Sequence, residues 1–202
     1  MAGKPKKEVL SETEQNNEGQ NNEVEILQKK NSKKSYKQLR NELRKLKDEI
    51  EVEIMNLDTG TVLYRDRDER LIFEMNKAGE KTFILLSDLY EISNKYRGYF
   101  ENYLITIVDV DSDDYTVEDI LEYLNLKDVY EYLDEYDLDY VNHILLKLDN
   151  DKFVNLVEKA NYGLIECLGS RVIELYKKGK FDSHYKEHLI ATRLGLQSLF
   201  ED

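Results

Sequence analysis

The clearest alternation of hydrophobic and polar positions lies between residues 51 and 109, where turn residues separate short apolar runs. Val52 and Ile54 alternate as on one face of a strand, with Leu57 following, and Asp58-Thr59-Gly60 supplies a turn. Further strands are predicted at 62–64, 71–75, 83–86 and 103–108, separated by turns at 65–70 and 76–79 and by one helix. The pattern predicts a meander of four or five antiparallel strands.

One helix interrupts these strands. Leu89, Ile92 and Tyr96 recur at a spacing of three and four residues, which is typical of a helix face. The oxygen of Ser87 is expected to cap its start, and Gly98 is expected to end it.

Helical periodicity dominates from about residue 113 to the end. Thr116 and Asp119 resemble a capping box, with aspartate in the fourth place. The apolar positions predict six short helices, at 117–124, 129–133, 138–148, 150–160, 164–176 and 183–194. Gly179 and Gly195 are expected to end the last two. Short helices with short connections predict a compact helical bundle over 113–202.

An amphipathic helix is predicted over 33–50. Its apolar positions step by three and four, as in a heptad seam: Tyr36, Leu39, Leu43, Leu46 and Ile50. About two heptads are present, fewer than a sustained coiled coil needs. Two interpretations stay open: the stripe packs on its own domain, or it mediates self-association or docking on a partner.

Residues 1–32 are polar and repetitive, a composition that buries too little apolar surface to offset chain entropy. We therefore predict a disordered leader. Val24, Ile26 and Leu27 form a short apolar patch in it that is a candidate for docking on a partner. The chain up to Ile50 is net positive and the remainder strongly acidic, an arrangement that suits head-to-tail contacts between copies.

Composition narrows the classes of function. A net charge of −13 and an isoelectric point near 4.8 argue against a direct nucleic-acid or anionic-membrane binder. The single cysteine, Cys167, excludes an intramolecular disulfide and suits a reducing compartment. No apolar run is long enough for a membrane span, so we expect a protein made in the cytosol.

Two acidic motifs resemble functional sites without completing them. Asp109, Asp111 and Asp113 have the opening spacing of an EF-hand loop, but Asp114 replaces its glycine and Ile120 its bidentate glutamate. Asp58-Thr59-Gly60 is the tripeptide of half-site aspartic proteases, which need two such aspartates at a dimer axis. A solvated acidic linker and an ordinary turn are the favoured interpretations.

The third candidate is the H-x-x-E-H pattern of His184, Glu187 and His188, in which two histidines hold zinc. A downstream third ligand is missing, so a polar surface helix is favoured. His143 is interpreted as a histidine at the edge of the core, and Cys167 as an inert buried thiol. We therefore expect no catalytic residue, metal or cofactor.

Tyrosine is frequent in the acidic segment that follows residue 113. The rings concerned are Tyr115, Tyr123, Tyr130, Tyr132, Tyr136 and Tyr140. Tyrosine gives a large contact area at low entropic cost and favours protein interfaces. The equally weighted alternative is that these rings cover the small helices of their own domain.

Several short motifs occur together in order: Gly60-Thr-Val-Leu-Tyr64, Phe73, Gly79, Ser87-Asp-Leu89 and Tyr99-Phe100-Glu-Asn102-Tyr-Leu-Ile105. This order resembles a pattern in uncharacterised proteins of tailed bacteriophages, over residues 52 to 195. The chain departs from that pattern at Tyr103, where the family tends to have tryptophan, and in its long leader. The resemblance brings no catalytic residues and implies a virion or assembly component.

The sequence thus predicts an α+β protein in four parts: a disordered leader (1–32), an amphipathic heptad helix (33–50), a small antiparallel β-rich domain with an inserted helix (51–112) and an acidic helical bundle (113–202). The predicted function is a non-enzymatic structural or assembly role in a tailed-phage virion, with copies of itself or other virion proteins as partners. The arm from Val24 to Ile50 and the strand edges are the predicted contact surfaces. The alternative is an acidic regulatory protein that inhibits a basic host enzyme, such as a polymerase or nuclease.

Overall fold

A computed structural model describes residues 35–200 of the chain. Within this range helices and small antiparallel sheets are mixed, which confirms the predicted α+β class. The elements are α1 (Tyr36–Leu46), β1 (Glu51–Asn56), β2 (Val62–Arg65), β3 (Leu71–Met75), β4 (Lys81–Leu85), α2 (Leu86–Lys95), α3 (Gly98–Glu101), β5 (Ile105–Val110), α4 (Val117–Tyr123), α5 (Leu138–Leu146), α6 (Asn150–Lys159), α7 (Tyr162–Lys177) and α8 (His184–Leu194).

The first strand is the centre of the main sheet. The strand order is β4-β1-β5, with both pairs antiparallel, and β2 and β3 form a separate two-stranded sheet. Val52 is paired with Ile84 on one side and with Val110 on the other. The five strands agree with the prediction, but the meander is wrong. An apolar strand that is buried among later elements pairs on both edges, and periodicity along the chain does not reveal its partners.

Aromatic packing connects the β2–β3 hairpin to the rest of the β-rich part. The Tyr99 ring meets Tyr64 and Phe73 edge to face, with centroids 6.0 and 6.1 Å apart. The Tyr99 hydroxyl donates a hydrogen bond of 2.6 Å to the Leu63 carbonyl. Ring contacts of this kind add stabilisation beyond the buried area, so the hairpin stays in place without pairing to the main sheet.

The N-terminal helix is shorter than the predicted 33–50. Helix α1 ends at Leu46, a turn follows, and Ile50 directly precedes β1. Leu39, Leu43 and Ile50 are buried in the core. The interpretation in which the stripe packs on its own domain is therefore the correct one for these three residues.

The inserted helix also differs at its ends. Helix α2 begins at Leu86 directly after β4, and no side chain caps its start, so the predicted Ser87 cap is wrong. It ends at Lys95, and Gly98 opens the short helix α3 instead of ending α2. Tyr103 has a φ of 52° just after α3, which delays the start of β5 to Ile105. A residue in the left-handed region cannot continue an extended strand.

Most helices after residue 113 form as predicted. The Thr116 and Asp119 capping box is present with both of its hydrogen bonds, and Asp149 and Ser183 cap α6 and α8. The helix predicted at 129–133 is wrong, because these residues form turns. Within them Tyr130 is fully buried, and its hydroxyl donates 2.7 Å to the Ile105 carbonyl of β5. The chain around Tyr130 therefore forms turns that bury this ring against β5, and not the predicted helix.

A single hydrophobic core joins the β-rich and helical parts. The compact unit begins at Leu39, and its buried residues form one cluster that includes members of both parts. The hydroxyl of Tyr103 donates to the Val129 carbonyl, a second link beside that of Tyr130. The predicted boundary between 112 and 113 is therefore not a domain boundary.

The start of α7 lies directly on the end of α3. A Cβ atom built on Gly163 would lie 1.9 Å from the carbonyl oxygen of Glu101 and 2.8 Å from the Cα of Asn102. Only a residue without a side chain permits this approach of two backbones. Gly163 therefore fixes the helical part against the β-rich part.

Candidate contact surface

The Asp58-Thr59-Gly60 tripeptide is a structural turn. Its organiser is Asn56, which is fully buried and donates from Nδ2 to the Gly60 carbonyl at 2.8 Å and the Met75 carbonyl at 3.3 Å. The Asn56 Oδ1 accepts from the Asp58 amide at 2.8 Å, and an Asp58 oxygen accepts from the Gly60 amide. The favoured interpretation of the motif is confirmed, because its polar groups hold the β1–β2 connection.

The H-x-x-E-H motif lies on α8, and its glutamate makes hydrogen bonds to the segment that follows this helix. Glu187 is buried, and its Oε1 accepts from the Ser198 hydroxyl at 3.0 Å and from the Leu199 amide at 2.6 Å. His184 and His188 are exposed. The carboxylate therefore holds the segment after α8 on the helix that precedes it.

Lys186 lies between these residues and is buried. The sequence analysis did not identify it as a structural residue. Its ammonium donates to the carbonyls of Leu145 and Leu148 at 2.9 and 2.7 Å, with a longer bond to Ile144. It also lies 4.9 Å from the centre of the Phe153 ring. Burial lowers the pKa of Lys186. The available signal was its spacing of four residues from Ile190 on the apolar face of the helix.

The acidic run that starts at Asp109, near the end of β5, continues into the solvated link after this strand. Asp109, Asp111 and Asp113 are exposed, and an Asp109 oxygen accepts from the Val110 amide at 2.9 Å. Over residues 35–200, no group of three or more histidine, cysteine, aspartate or glutamate side chains is arranged to hold a metal ion. The exposure of the three aspartates agrees with the interpretation of the run as a solvated linker.

The two remaining candidate residues are Cys167, which is buried, and His143, which packs on a neighbouring ring. Cys167 is buried, and desolvation raises the pKa of its thiol to about 12, which makes it an inert thiol as expected. His143 is exposed and stacks on Tyr140 with ring centroids 5.8 Å apart, so its placement at the core edge is wrong. Its position at the solvent face of α5 follows from the helix period.

The tyrosines of the acidic segment mostly cover their own domain. Tyr115, Tyr123 and Tyr130 are buried, and Tyr132, Tyr136 and Tyr140 are half-buried. Desolvation raises the pKa of Tyr130 well above its ordinary value. The pKa of Tyr140 is about 12, because burial is joined by a hydrogen bond to Asp134. The interpretation of these rings as cover for small helices is the better one.

The residues predicted for self-association are divided by the structure. Leu39, Leu43 and Ile50 are buried in the core, so the folded chain does not present them to a partner, and this part of the prediction is wrong. Leu46 is half-buried, whereas Tyr36 is 45% exposed. The apolar patch of Val24, Ile26 and Leu27 lies outside the described residues.

A groove with two exposed apolar side chains and several charged ones lies between strands β3 and β4. These strands follow each other in the chain but are not paired, and a groove opens between them. Leu71 and Phe83 line it and are 42% and 48% exposed. Arg70 and Asp88, paired at 3.4 Å, stand at its rim. We call this surface the β3–β4 groove.

In comparisons with known proteins, no family model, no curated protein and no solved structure matches the chain. Among the helices of residues 35–200, none has the length and apolar character needed to span a bilayer.

Glu174 provides a test of the electrostatics of α7. It pairs with Arg171, which also donates 2.7 Å to Asn142, and with Lys178. Burial works to raise the pKa of Glu174, but the hydrogen bond from Lys178 and the charge of Arg171 outweigh it, and the pKa is lowered. The ionised carboxylate therefore contributes stability above the unfolded pKa near 4.3, which is lost as pH falls through the folded pKa.

We expect Glu174→Gln to lower the free energy of unfolding by about 1 kcal/mol at pH 7, the size of a partly exposed ion pair. At pH 3 the difference from the wild type should be smaller, because the carboxylate loses its charge as pH falls through its lowered pKa. Urea unfolding at both pH values measures it, with Glu158→Gln, an exposed position on α6, as the control. A difference that is equal at pH 3 and pH 7 would contradict the ion-pair account.

Proposed function

We propose that the protein is a non-enzymatic structural or assembly component of a tailed-bacteriophage particle, made in the bacterial cytoplasm and resident in the virion. It acts by contacts between copies of itself, and other virion proteins are further partners. The observation that carries this proposal is the β3–β4 groove. The similarity to phage proteins of the motif order from Gly60 to Ile105 supports the setting.

The groove combines exposed apolar side chains with charged ones. Leu71 and Phe83 are 42% and 48% exposed and line it together with the half-buried Ile72 and Leu85. Contiguous exposed apolar side chains with a polar rim are typical of interaction sites in soluble proteins. The Arg70–Asp88 pair supplies such a rim and would orient an incoming surface.

Residues in the motifs that resemble catalytic or metal sites make structural hydrogen bonds, which supports the same proposal. Asp58 closes a turn, Glu187 holds the segment after α8, and Lys186 caps the end of α5. Groups that are bound in this way contribute to the shape of the protein.

One observation favours the alternative of an acidic regulatory protein that inhibits a basic host enzyme. Thirteen acidic residues and one basic residue, Lys127, lie between 109 and 139. An acidic surface of this kind would cover a cationic enzyme surface such as that of a polymerase or nuclease. Under this alternative the protein is monomeric until it meets its partner.

Substitution of the groove residues separates the two functions. The wild-type chain of 23.9 kDa is expected to show a solution mass that is a multiple of this value, and Leu71→Ser with Phe83→Ser is expected to lower that multiple. Leu146→Ser with Leu196→Ser is the matched control, since both leucines are exposed outside the groove. Size-exclusion chromatography with light scattering, over a series of concentrations, measures the mass.

A monomeric wild type at every concentration would overturn the proposal and favour the acidic regulator. A solution mass that the groove substitutions leave unchanged, or that the control pair lowers equally, would remove the groove as a contact. Mass spectrometry of purified phage particles from the source would then show whether the chain is present at a fixed ratio to the other virion proteins, as the proposal requires.

A further inference from the structure

The exposed face of α1 is basic, although the protein as a whole is acidic. Arg40, Arg44 and Lys45 are exposed on this helix, while Leu39 and Leu43 anchor it in the core. Among the residues that the structure describes, Arg44 and Lys45 have no ion-pair partner. We call Arg40, Arg44 and Lys45 the α1 basic face.

The acidic segment 109–139 carries the opposite charge and is poorly neutralised. Ten of its thirteen acidic residues are exposed, and among the described residues its one ion pair is Glu122 with Lys127. Unpaired like charges repel one another and destabilise a compact surface. A cationic partner would relieve this repulsion, so the surface favours a basic ligand over a neutral one.

The two charged surfaces adjoin each other on the same unit. The Tyr115 hydroxyl, in the acidic segment, donates 3.2 Å to the Glu42 carboxylate on α1. The charges of Arg40 and Arg44 also act on the hydroxyl of Tyr123 in α4. Basic and acidic surfaces that lie side by side are self-complementary about a two-fold axis, because each covers the other in the partner copy.

We propose that two copies of this chain associate about a two-fold axis, with the α1 basic face of each copy docked on the acidic segment of the other. The inference rests on the proposed assembly function and names its partner, a second copy, and its surface. Because each contact is made twice in such a pair, modest charge attraction at one contact is doubled in the dimer. No residue of the α1 basic face or of the acidic segment is among those that line the β3–β4 groove.

A charge exchange tests this pairing. Variant A carries Arg44→Glu and Lys45→Glu, and variant B carries Asp113→Lys and Asp114→Lys, all made in the full chain with Leu71→Ser and Phe83→Ser. That background is expected to have the mass of two chains at low salt and of one chain at high salt, since exposed charges are screened there. Each variant alone should have the mass of one chain, and an equal mixture of A and B should regain the mass of two.

Lys177→Glu with Lys180→Glu is the matched control, because it makes the same charge change at exposed residues outside both surfaces, and it should keep the mass of two chains. Thermal unfolding of every variant checks that it is folded. Recovery in the mixture would not arise from two misfolded variants, so it supports the pairing even if each is less stable.

Three results would overturn the inference. In the first, the wild type assembles but A, B and the control behave alike, so the assembly function stands and the charged contact is rejected. In the second, A loses co-purified nucleic acid, seen in its absorbance ratio, with no change in mass, which assigns the α1 basic face to a polyanion. In the third, the wild type is monomeric at all concentrations, and the proposed function is rejected as well.

Discussion

Gly163→Ala is expected to be among the most destabilising single substitutions in this protein. The added Cβ would lie 1.9 Å from the Glu101 carbonyl oxygen, which belongs to backbone and not to a flexible side chain. Either α7 or the end of α3 must shift, and overpacking of this kind costs about 3 kcal/mol or more. Urea or thermal unfolding followed by circular dichroism measures the loss.

Gly98→Ala is the matched control for this substitution. Its added Cβ would have the Asn102 side-chain nitrogen as nearest neighbour, at 3.6 Å, which is ordinary contact. It also lies at the start of α3, where alanine is a good helix former. If both variants unfold at the same point as the wild type, the close approach of α7 and α3 is not a constraint on the fold.

Lys186→Met is the second substitution with a large expected effect. Methionine fills a similar volume, but it cannot donate to the carbonyls of Leu145 and Leu148 at the end of α5. Buried acceptors left without a donor cost about 1–3 kcal/mol, and bonds from a charged donor are the stronger ones. We expect a loss of about 2 kcal/mol at pH 7, measured by urea unfolding.

The pH dependence of this loss has a defined sign. Because burial lowers the pKa of Lys186, the unfolded chain holds this proton more tightly than the folded chain. The wild type should therefore gain stability relative to the Met variant as pH rises from the lowered pKa towards the unfolded value near 10.4. Lys152→Met, whose side chain is 74% exposed on α6, is the control and should change little. A gap that narrows with rising pH would contradict the assignment.

Local signals along the chain predicted the helices better than the strand partners. The capping box of Thr116 and Asp119 and the cap at Asp149 are side-chain to backbone bonds within one turn, so residue type and spacing specify them. Strand positions were also visible, because Val52 and Ile54 alternate with polar residues. The order of the strands in the sheet could not be predicted, because the pairing of β1 with both β4 and β5 depends on the packing of residues far apart in sequence.

Surface and core were the least predictable. The spacing of Leu39 and Leu43 fits either a core helix or a helix that binds a partner, and burial alone decides for the core. The β3–β4 groove was not predicted, since Leu71 and Phe83 read as ordinary strand residues until β3 is found unpaired with β4. Lys186 was missed because a lysine next to a zinc-like motif looks like a surface residue, and its burial becomes visible only when α8 meets the end of α5.

The central place of β1 has a consequence for how the chain acquires its structure. This strand leaves the ribosome before either of its neighbours, and β5 follows only after the hairpin and two helices between them. Non-local pairing of this kind slows folding, because the entropy of closing a long loop is lost before the strand contacts stabilise the chain. Until residue 85 has emerged both edges of β1 are open to other nascent chains, and the edge that pairs with β5 stays open until residue 110 has emerged. Synthesis on crowded polysomes would thus be the stage at which misassembly of this protein begins.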